Sequence, residues 1–371
     1  MLIGIPAETF AGELRAVLIP NDVKRLVALG AQIVIEPGLG AGIKVPDEAY
    51  VQAGARLAAS RAEVLSAPIV LRLRKPEAAD VAALSPGAIH ISYLDPFNEP
   101  ALLEQLAAKG VTALCMEMIP RSTRAQKMDS LSSQASLAGY VAVILAAERL
   151  DKVFPMMTTP AGTIQPARVF IIGAGVAGLQ AIATAKRLGA RVDAFDTRPV
   201  VAEQVKSLGA RFVEVDLGET GQTKDGYAKA LTEEQLQKQR EAMAKQCAMS
   251  DVVITTAQVF GRKAPVIITK DMVAGMKPGS LLVDLAVETG GNVEGALPGQ
   301  EVDVNGVSIM GLTNLPGRVA VHASQMYSAN LYNLVEEFWD KETKTFTLNL
   351  EDDILKSCVV THNGAVLLQK K

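Results

Sequence analysis

The stretch Ala167-Arg-Val-Phe-Ile-Ile-Gly173-Ala-Gly175-Val-Ala-Gly178, with Asp196 closing the next apolar run, decides the fold. It reads as strand, glycine turn, helix, strand, acid. Each glycine of the G-x-G-x-x-G spacing has its own task. Gly173 permits the tight turn, Gly175 leaves the backbone open to a pyrophosphate, and Gly178 lets helix and strand pack closely. Ala174 and Val176 stand between them, where a helix N-terminus presents unpaired N–H groups and the positive end of its dipole. Asp196 follows at the distance from which a carboxylate accepts from both hydroxyls of an adenosine ribose. A 2′-phosphate would meet that carboxylate, so the pattern predicts NAD(H) over NADP(H). An ordinary glycine turn explains three glycines; it does not explain the strand before them and the acid after them.

Outward from this turn the chain keeps alternating strand and helix patterns. In the first third, residues 2–6, 32–36, 69–74, 88–94 and 112–117 read as buried strands, with helical segments such as 21–29 and 100–108 between them. In the middle, 168–173, 191–196, 211–216, 251–256 and 281–285 repeat the scheme. Such alternation predicts parallel sheets with helices on both faces. The predicted class is therefore α/β, with two doubly wound, Rossmann-like domains. Two long helical patterns, 130–150 and 319–338, join them, and a cleft between the domains is the expected ligand site. If the tail 345–368 packs on the first domain, the dinucleotide domain is an insertion. The expected division is then 1–132 with 319–371 for the first domain and 133–318 for the NAD(H)-binding one.

Bulk composition excludes several classes. At 371 residues, 49% apolar and 21% charged, the chain is large enough to bury two cores. Its mean hydropathy of +0.21 is high, but alanine supplies much of that. The apolar run around 138–147 is short of the roughly 20 residues that cross a bilayer. No secretory signal pattern opens at Met1, so a soluble protein on the cytoplasmic side is expected. Cys115, Cys247 and Cys358, and His90, His322 and His362, are too scattered to suggest a metal site. A net charge of −3 gives no reason to expect nucleic acid.

Two segments carry more polarity than the fold requires. Residues 216–247 are longer than a dinucleotide fold needs there, and Thr232-Glu-Glu-Gln235 resembles a capping box that should start a helix. The stretch 218–227 is the expected mobile lid; a solvated surface excursion is the alternative. The second segment is Arg121-Ser-Thr-Arg-Ala-Gln126-Lys-Met-Asp129-Ser-Leu-Ser132, just before the first long helix. Arg121 can hold a carboxamide oxygen or pyrophosphate, Asp129 can fix the arginine, and Ser132 and Gln126 can orient a nicotinamide amide. Helix capping needs only one or two such residues.

With the glycine turn, this segment and the later run Lys277-Pro-Gly-Ser-Leu-Leu-Val-Asp-Leu-Ala286-Val-Glu-Thr-Gly-Gly291 resemble the alanine dehydrogenase and nicotinamide nucleotide transhydrogenase superfamily. The likeness runs from LIGIPAE at the start to THNGAVLL at the end, and RSTRAQKMDSLSSQ is similar to the transhydrogenase branch in particular. The resemblance implies that Arg121, Gln126, Asp129 and Ser132 contact the nicotinamide half of NAD(H). It places Ala174, Gly175 and Val176 at the pyrophosphate, and Asp196, Thr197 and Arg198 at the adenosine ribose. Gly226 and Tyr227 would lie on the mobile loop, with Gln239 on the helix behind it, and Ala257 and Gln258 would lie near the ring.

Departures from the dehydrogenase branch matter as much. An alanine dehydrogenase needs a lysine and a histidine at its keto acid, and this chain has Arg74 and Asp95 at the matching places. Arginine does not shuttle protons at neutral pH, and an aspartate has the wrong resting pKa for a base near seven. Arg15, in the carboxylate-binding position, is retained, and Lys75 is one position off. Hydride transfer between two nicotinamide rings needs no such groups. The resemblance therefore implies an oxidoreductase and translocase: the NAD(H)-binding component of a Si-specific, proton-translocating transhydrogenase. A partner subunit would carry NADP(H), membrane subunits would move protons, and this chain would be a homodimer at the cytoplasmic face of the inner membrane. It resembles a free-standing subunit or the soluble domain of a longer one. An NAD-dependent amino-acid dehydrogenase and a nucleotide-sensing module are the alternatives.

Overall fold

The computed structural model describes residues 1–218, 221 and 231–368. It divides into two compact units, Met1–Gln134 with Pro316–Lys371, and Ala135–Leu315.

The first unit is built on six short parallel strands: β1 (Leu2–Ile5), β2 (Gln32–Ile35), β3 (Ala55–Leu57), β4 (Ile69–Leu71), β5 (Ile89–Ser92) and β6 (Thr112–Cys115). They lie in the order β6-β5-β4-β1-β2-β3. The central strands are buried along their whole length, as expected of parallel strands covered on both faces. Helices Pro20–Ala28 and Pro100–Ala108 each begin on a proline, whose missing N–H is no loss in the first turn. The tail does return here: Val359–His362 pairs antiparallel with β6, and Ala365–Val366 pairs with it in turn. Unit two is thus inserted in the chain of unit one.

Two strands end earlier than the apolar runs predict, for one physical reason. β4 stops at Leu71 rather than reaching Arg74, because the N–H groups of Leu73 and Arg74 donate to the Glu8 carboxylate (2.7 and 3.2 Å). β5 stops at Ser92 because Leu94 and Asp95 donate to Glu117 (3.1 and 2.9 Å). Burial pushes both carboxyls up, against the donors that surround them. Buried glutamates, not solvent, terminate these strands.

The second unit carries β7 (Arg168–Ile172), β8 (Arg191–Phe195), β9 (Arg211–Phe212), β10 (Val252–Thr255), β11 (Leu281–Asp284), β12 (Gln300–Val304) and β13 (Val307–Gly311). Their order is β9-β8-β7-β10-β11-β13-β12, parallel except for β12. The chain steps outward from β7 to β9, then crosses back to β10. The strand order reverses between β7 and β10, the place where doubly wound sheets bind ligands. Phe170, Ile172, Met243, Val253, Leu282 and Ile309 form part of the core on one face. The antiparallel pair β12–β13 was not read from the sequence, since its edge strand has little apolar alternation.

The helix Ser130–Arg149 crosses the boundary between the units in sequence. At 20 residues it reaches the length and apolarity of a bilayer span, which the run 138–147 alone did not. Its packing is that of a core helix: a Cβ on Gly139 would lie 2.1 Å from the Ala177 carbonyl oxygen. The second long helix, Ala320–Glu337, packs Tyr327, Leu331 and Leu334 into the core of unit one.

Candidate functional site

Strand β7 delivers the chain into Gly173, whose φ of +95° favours glycine. A Cβ there would also lie 2.5 Å from the Thr256 hydroxyl. At Gly178 a Cβ would lie 1.8 Å from the Gly173 carbonyl oxygen, so the helix Val176–Arg187 sits directly against the turn. Gly175 is different. A Cβ on it would meet no atom within 4 Å, and it caps the helix without a side-chain hydrogen bond. Open space at an uncapped helix N-terminus fits a pyrophosphate. Ala174 is buried, and Val176 is exposed beside the opening.

Asp196 follows the end of β8 and does more than the sequence suggests. Its Oδ2 accepts from the Ala174 N–H at 2.8 Å, tying the acid to the glycine turn. Its Oδ1 accepts from the Arg198 backbone N–H and from Arg198 Nε, both at 2.9 Å, and Oδ2 from Nη2 at 2.7 Å. The carboxylate raises the guanidinium pKa still further. Thr197 lies between them, half-buried. The acid expected to face a ribose alone is thus held by an arginine two residues on.

At the end of β10, Ala257 donates to Asn292 Oδ1 (3.0 Å) and accepts from Asn292 Nδ2 (2.9 Å). Asn292 is oriented by Asp284, which accepts from the N–H groups of Asn292 and Val293 (2.8 and 3.0 Å) and of Ala286 (2.8 Å). Burial pushes the Asp284 carboxyl up, and these donors oppose it. Gln258 is exposed and donates to the Leu285 carbonyl at 2.8 Å. Asp284 and Asn292 were missed in the sequence, although an acid and an asparagine flanking Gly290-Gly291 are the available signal.

The capping box is present: Thr232 accepts from the Gln235 N–H and the Gln235 side chain accepts from Thr232, opening the helix Glu233–Met249. Gln239 is buried on that helix. Gly226 and Tyr227, with most of the expected lid, lie outside the described residues.

In unit one, Asp129 accepts from the Ser132 N–H (2.9 Å) and hydroxyl (2.6 Å), so this pair caps the helix Ser130–Arg149. Arg121 and Gln126 are exposed, while Ala125 and Met128 between and after them are buried. Arg124 and Lys127 reach sideways to Glu337, at 3.3 and 3.0 Å. Neither was singled out in the sequence.

The places of the missing acid–base groups are also filled. Arg74 Nε donates to Glu13 Oε2 at 2.8 Å, and Arg15 donates to both Glu13 oxygens at 2.7 Å and to Gln134 at 2.8 Å. Lys75 pairs with Glu99. Asp95 holds φ at +50° and accepts from the Asn98 side chain at 2.8 Å. Among the described residues no group of three His, Cys, Asp or Glu side chains could hold a metal ion.

Residues 4–138 match the N-terminal domain of the alanine dehydrogenase/PNT family and residues 142–369 its C-terminal domain. The first of the two chains that make up NAD(P) transhydrogenase subunit alpha in Rhodospirillum rubrum is 46% identical over 99% of this chain and 98% of its own. The crystal structure of a transhydrogenase from Sinorhizobium meliloti superposes with a TM-score of 0.89 at 44% identity, covering 99% of this chain and 100% of that one. An alanine dehydrogenase from Halomonas elongata is 30% identical over 98% of this chain and 94% of its own.

Proposed function

The chain belongs to the alanine dehydrogenase/PNT family, and from that premise we propose that it is the NAD(H)-binding component of a proton-translocating transhydrogenase. The adenosine and pyrophosphate of NAD(H) rest on the turn Gly173–Gly178 and on Asp196, Thr197 and Arg198. The nicotinamide half is contacted by Arg121, Gln126, Asp129 and Ser132, with Ala257 and Gln258 at the end of β10 and Gln239, Gly226 and Tyr227 completing the cofactor set. NADP(H) is held by a partner subunit, and hydride passes directly from ring to ring, with Si specificity at the NAD(H) side.

One observation carries this reading over the dehydrogenase alternative. Arg74, where a proton-handling lysine is required, is an arginine bound to Glu13, and Asp95 replaces the histidine. Such a site can position a ring but has no group suited to exchanging a proton at a substrate carbonyl near pH 7. Positioning alone suffices when both reactants are nicotinamides.

The same reading places the chain as a homodimer, peripheral on the cytoplasmic face of the inner membrane through membrane-spanning partner subunits that move protons. A two-stranded hairpin in unit two, Met157–Thr159 with Gly162–Ile164, supports the homodimer: it exposes Met157 and Ile164, and isolated hairpins are marginal without a surface to pack on. The decisive experiment is hydride transfer from NADH to an NADP+ analogue, with and without membranes carrying the partner subunits. Transfer only with the partners is expected; none in either case would overturn the proposal.

A further inference from the structure

The segment carrying Arg121 and Gln126 is held in place by residues that reach the chain only after unit two. Arg124 bridges two of them: Nε meets Glu337 Oε1 at 3.3 Å, at the last residue of the helix Ala320–Glu337, and Nη2 pairs with Asp352 Oδ2. Asp352 is itself the N-cap of the helix Asp353–Cys358, its Oδ1 accepting from the Ile354 N–H at 2.9 Å. The Arg124 guanidinium also lies 5.9 Å from the Phe338 ring centroid. Lys127 Nζ meets the other Glu337 oxygen at 3.0 Å. The Lys127 carbonyl accepts from Asn330 and Asn333 at 2.9 and 3.2 Å, and the Met118 carbonyl accepts from Ser357 at 2.8 Å. The segment is therefore pinned at both ends and by two cations between them, and Gln126 stands between those cations in sequence.

We propose that Arg124 and Lys127, through their shared partner Glu337, are positioning residues that set the pose of Arg121 and Gln126 toward the nicotinamide half of NADH; this rests on the transhydrogenase reading of that segment. The ion pairs are about half exposed, 49% and 45% at the cations, so each is a modest contribution to stability. Their value is geometric. A loop with two exposed polar side chains and only Ala125 and Met128 as apolar anchors has few other restraints on where those side chains point.

The test compares Arg124→Ala, Arg124→Lys, Glu337→Gln and Arg121→Ala in the whole chain. NADH affinity by NADH fluorescence, AMP affinity as a measure of the adenosine half alone, and thermal unfolding are read together with KM and kcat in the complex assembled with its partner subunits. Arg124→Ala and Glu337→Gln should each weaken NADH by about threefold to tenfold, the scale of one or two partly exposed ion pairs. They should lower the hydride-transfer rate, leave AMP affinity unchanged and shift Tm by a few degrees at most. Arg124→Lys should restore part of the loss, since a point charge satisfies one of two acceptors. Arg121→Ala damaging while Arg124→Ala and Glu337→Gln are silent would overturn the positioning role and leave the nicotinamide reading intact. Arg121→Ala silent in both binding and transfer would overturn both. AMP and NADH affinities falling together would show a general structural defect and overturn the proposal as well.

Discussion

The Asp196 carboxylate and the Arg198 guanidinium lie 2.7 Å apart, Oδ2 to Nη2, just beyond the carboxyl end of β8. That same Oδ2 holds the Ala174 N–H of the glycine turn. The acid thus organises the turn and repels a 2′-phosphate, while the arginine beside it softens the repulsion. NADH should bind better than NADPH. Asp196→Ala should weaken NADH by about 1–3 kcal/mol, the cost of leaving hydrogen-bonding partners unpaired. Arg198→Ala removes the compensating charge and should lower NADPH affinity more than NADH affinity. Equilibrium dialysis with both cofactors is the measurement, and equal affinities in the unmodified protein would end the assignment of Asp196 as selector.

No alanine dehydrogenase activity is expected. Arg74 is tied to Glu13 and Lys75 to Glu99, so neither stands ready as a substrate base. NADH oxidation with pyruvate and ammonia at high enzyme concentration tests this. Turnover within the common enzyme range of about 1–1,000 per second would favour the dehydrogenase reading instead.

How far these sites were legible depended on the range of the contacts. The dinucleotide turn is local: strand, glycines, helix and Asp196 lie within some thirty residues, and every piece was readable. Glu8 and Glu117 were not, because a carboxylate that terminates a strand is recognised only by its partners. Leu73 lies 65 residues from Glu8 and Asp95 lies 22 from Glu117. Arg124 is the extreme case, since its partner Asp352 is 228 residues away. The Asp129–Ser132 pair shows the converse: a short-range polar pattern can serve a helix cap whatever else it does.

Unit one should lose stability in acid through Glu13. Burial pushes that carboxyl up, but the Arg15 hydrogen bonds and the Arg15 and Arg74 charges outweigh it and hold the pKa down to about 2, from an ordinary 4.5. A carboxylate with a depressed folded pKa contributes stability above its unfolded pKa and loses it as pH falls toward the folded one. The window is therefore about pH 4.5 to 2, and the contribution about 3 kcal/mol. His90, fully buried and beside Arg72, is held to about 3 and adds destabilisation of the same sign below pH 6.5. Urea unfolding can be followed through Trp339, the single tryptophan, which sits in the core of unit one. Glu13→Gln should be less stable than the parent at pH 7 and lose less on going from pH 4.5 to 2; parallel losses would contradict the role given to Glu13.

The glycines of the turn should separate folding from binding. Gly178→Ala puts a methyl 1.8 Å from the Gly173 carbonyl oxygen, which is backbone and has little room to yield. It should cost about 1–3 kcal/mol or more through overpacking, seen as a lowered Tm by calorimetry. Gly175→Ala meets no atom within 4 Å and keeps an allowed φ of −78°, so the protein should fold with a Tm close to the parent's. Its methyl instead enters the space given to the pyrophosphate. NADH affinity should fall at least about tenfold, equivalent to about 1.4 kcal/mol, while stability hardly changes. A Gly175→Ala protein that binds NADH as tightly as the parent would mean that the phosphates do not approach the helix Val176–Arg187 through that opening, and the turn would then be a packing device alone.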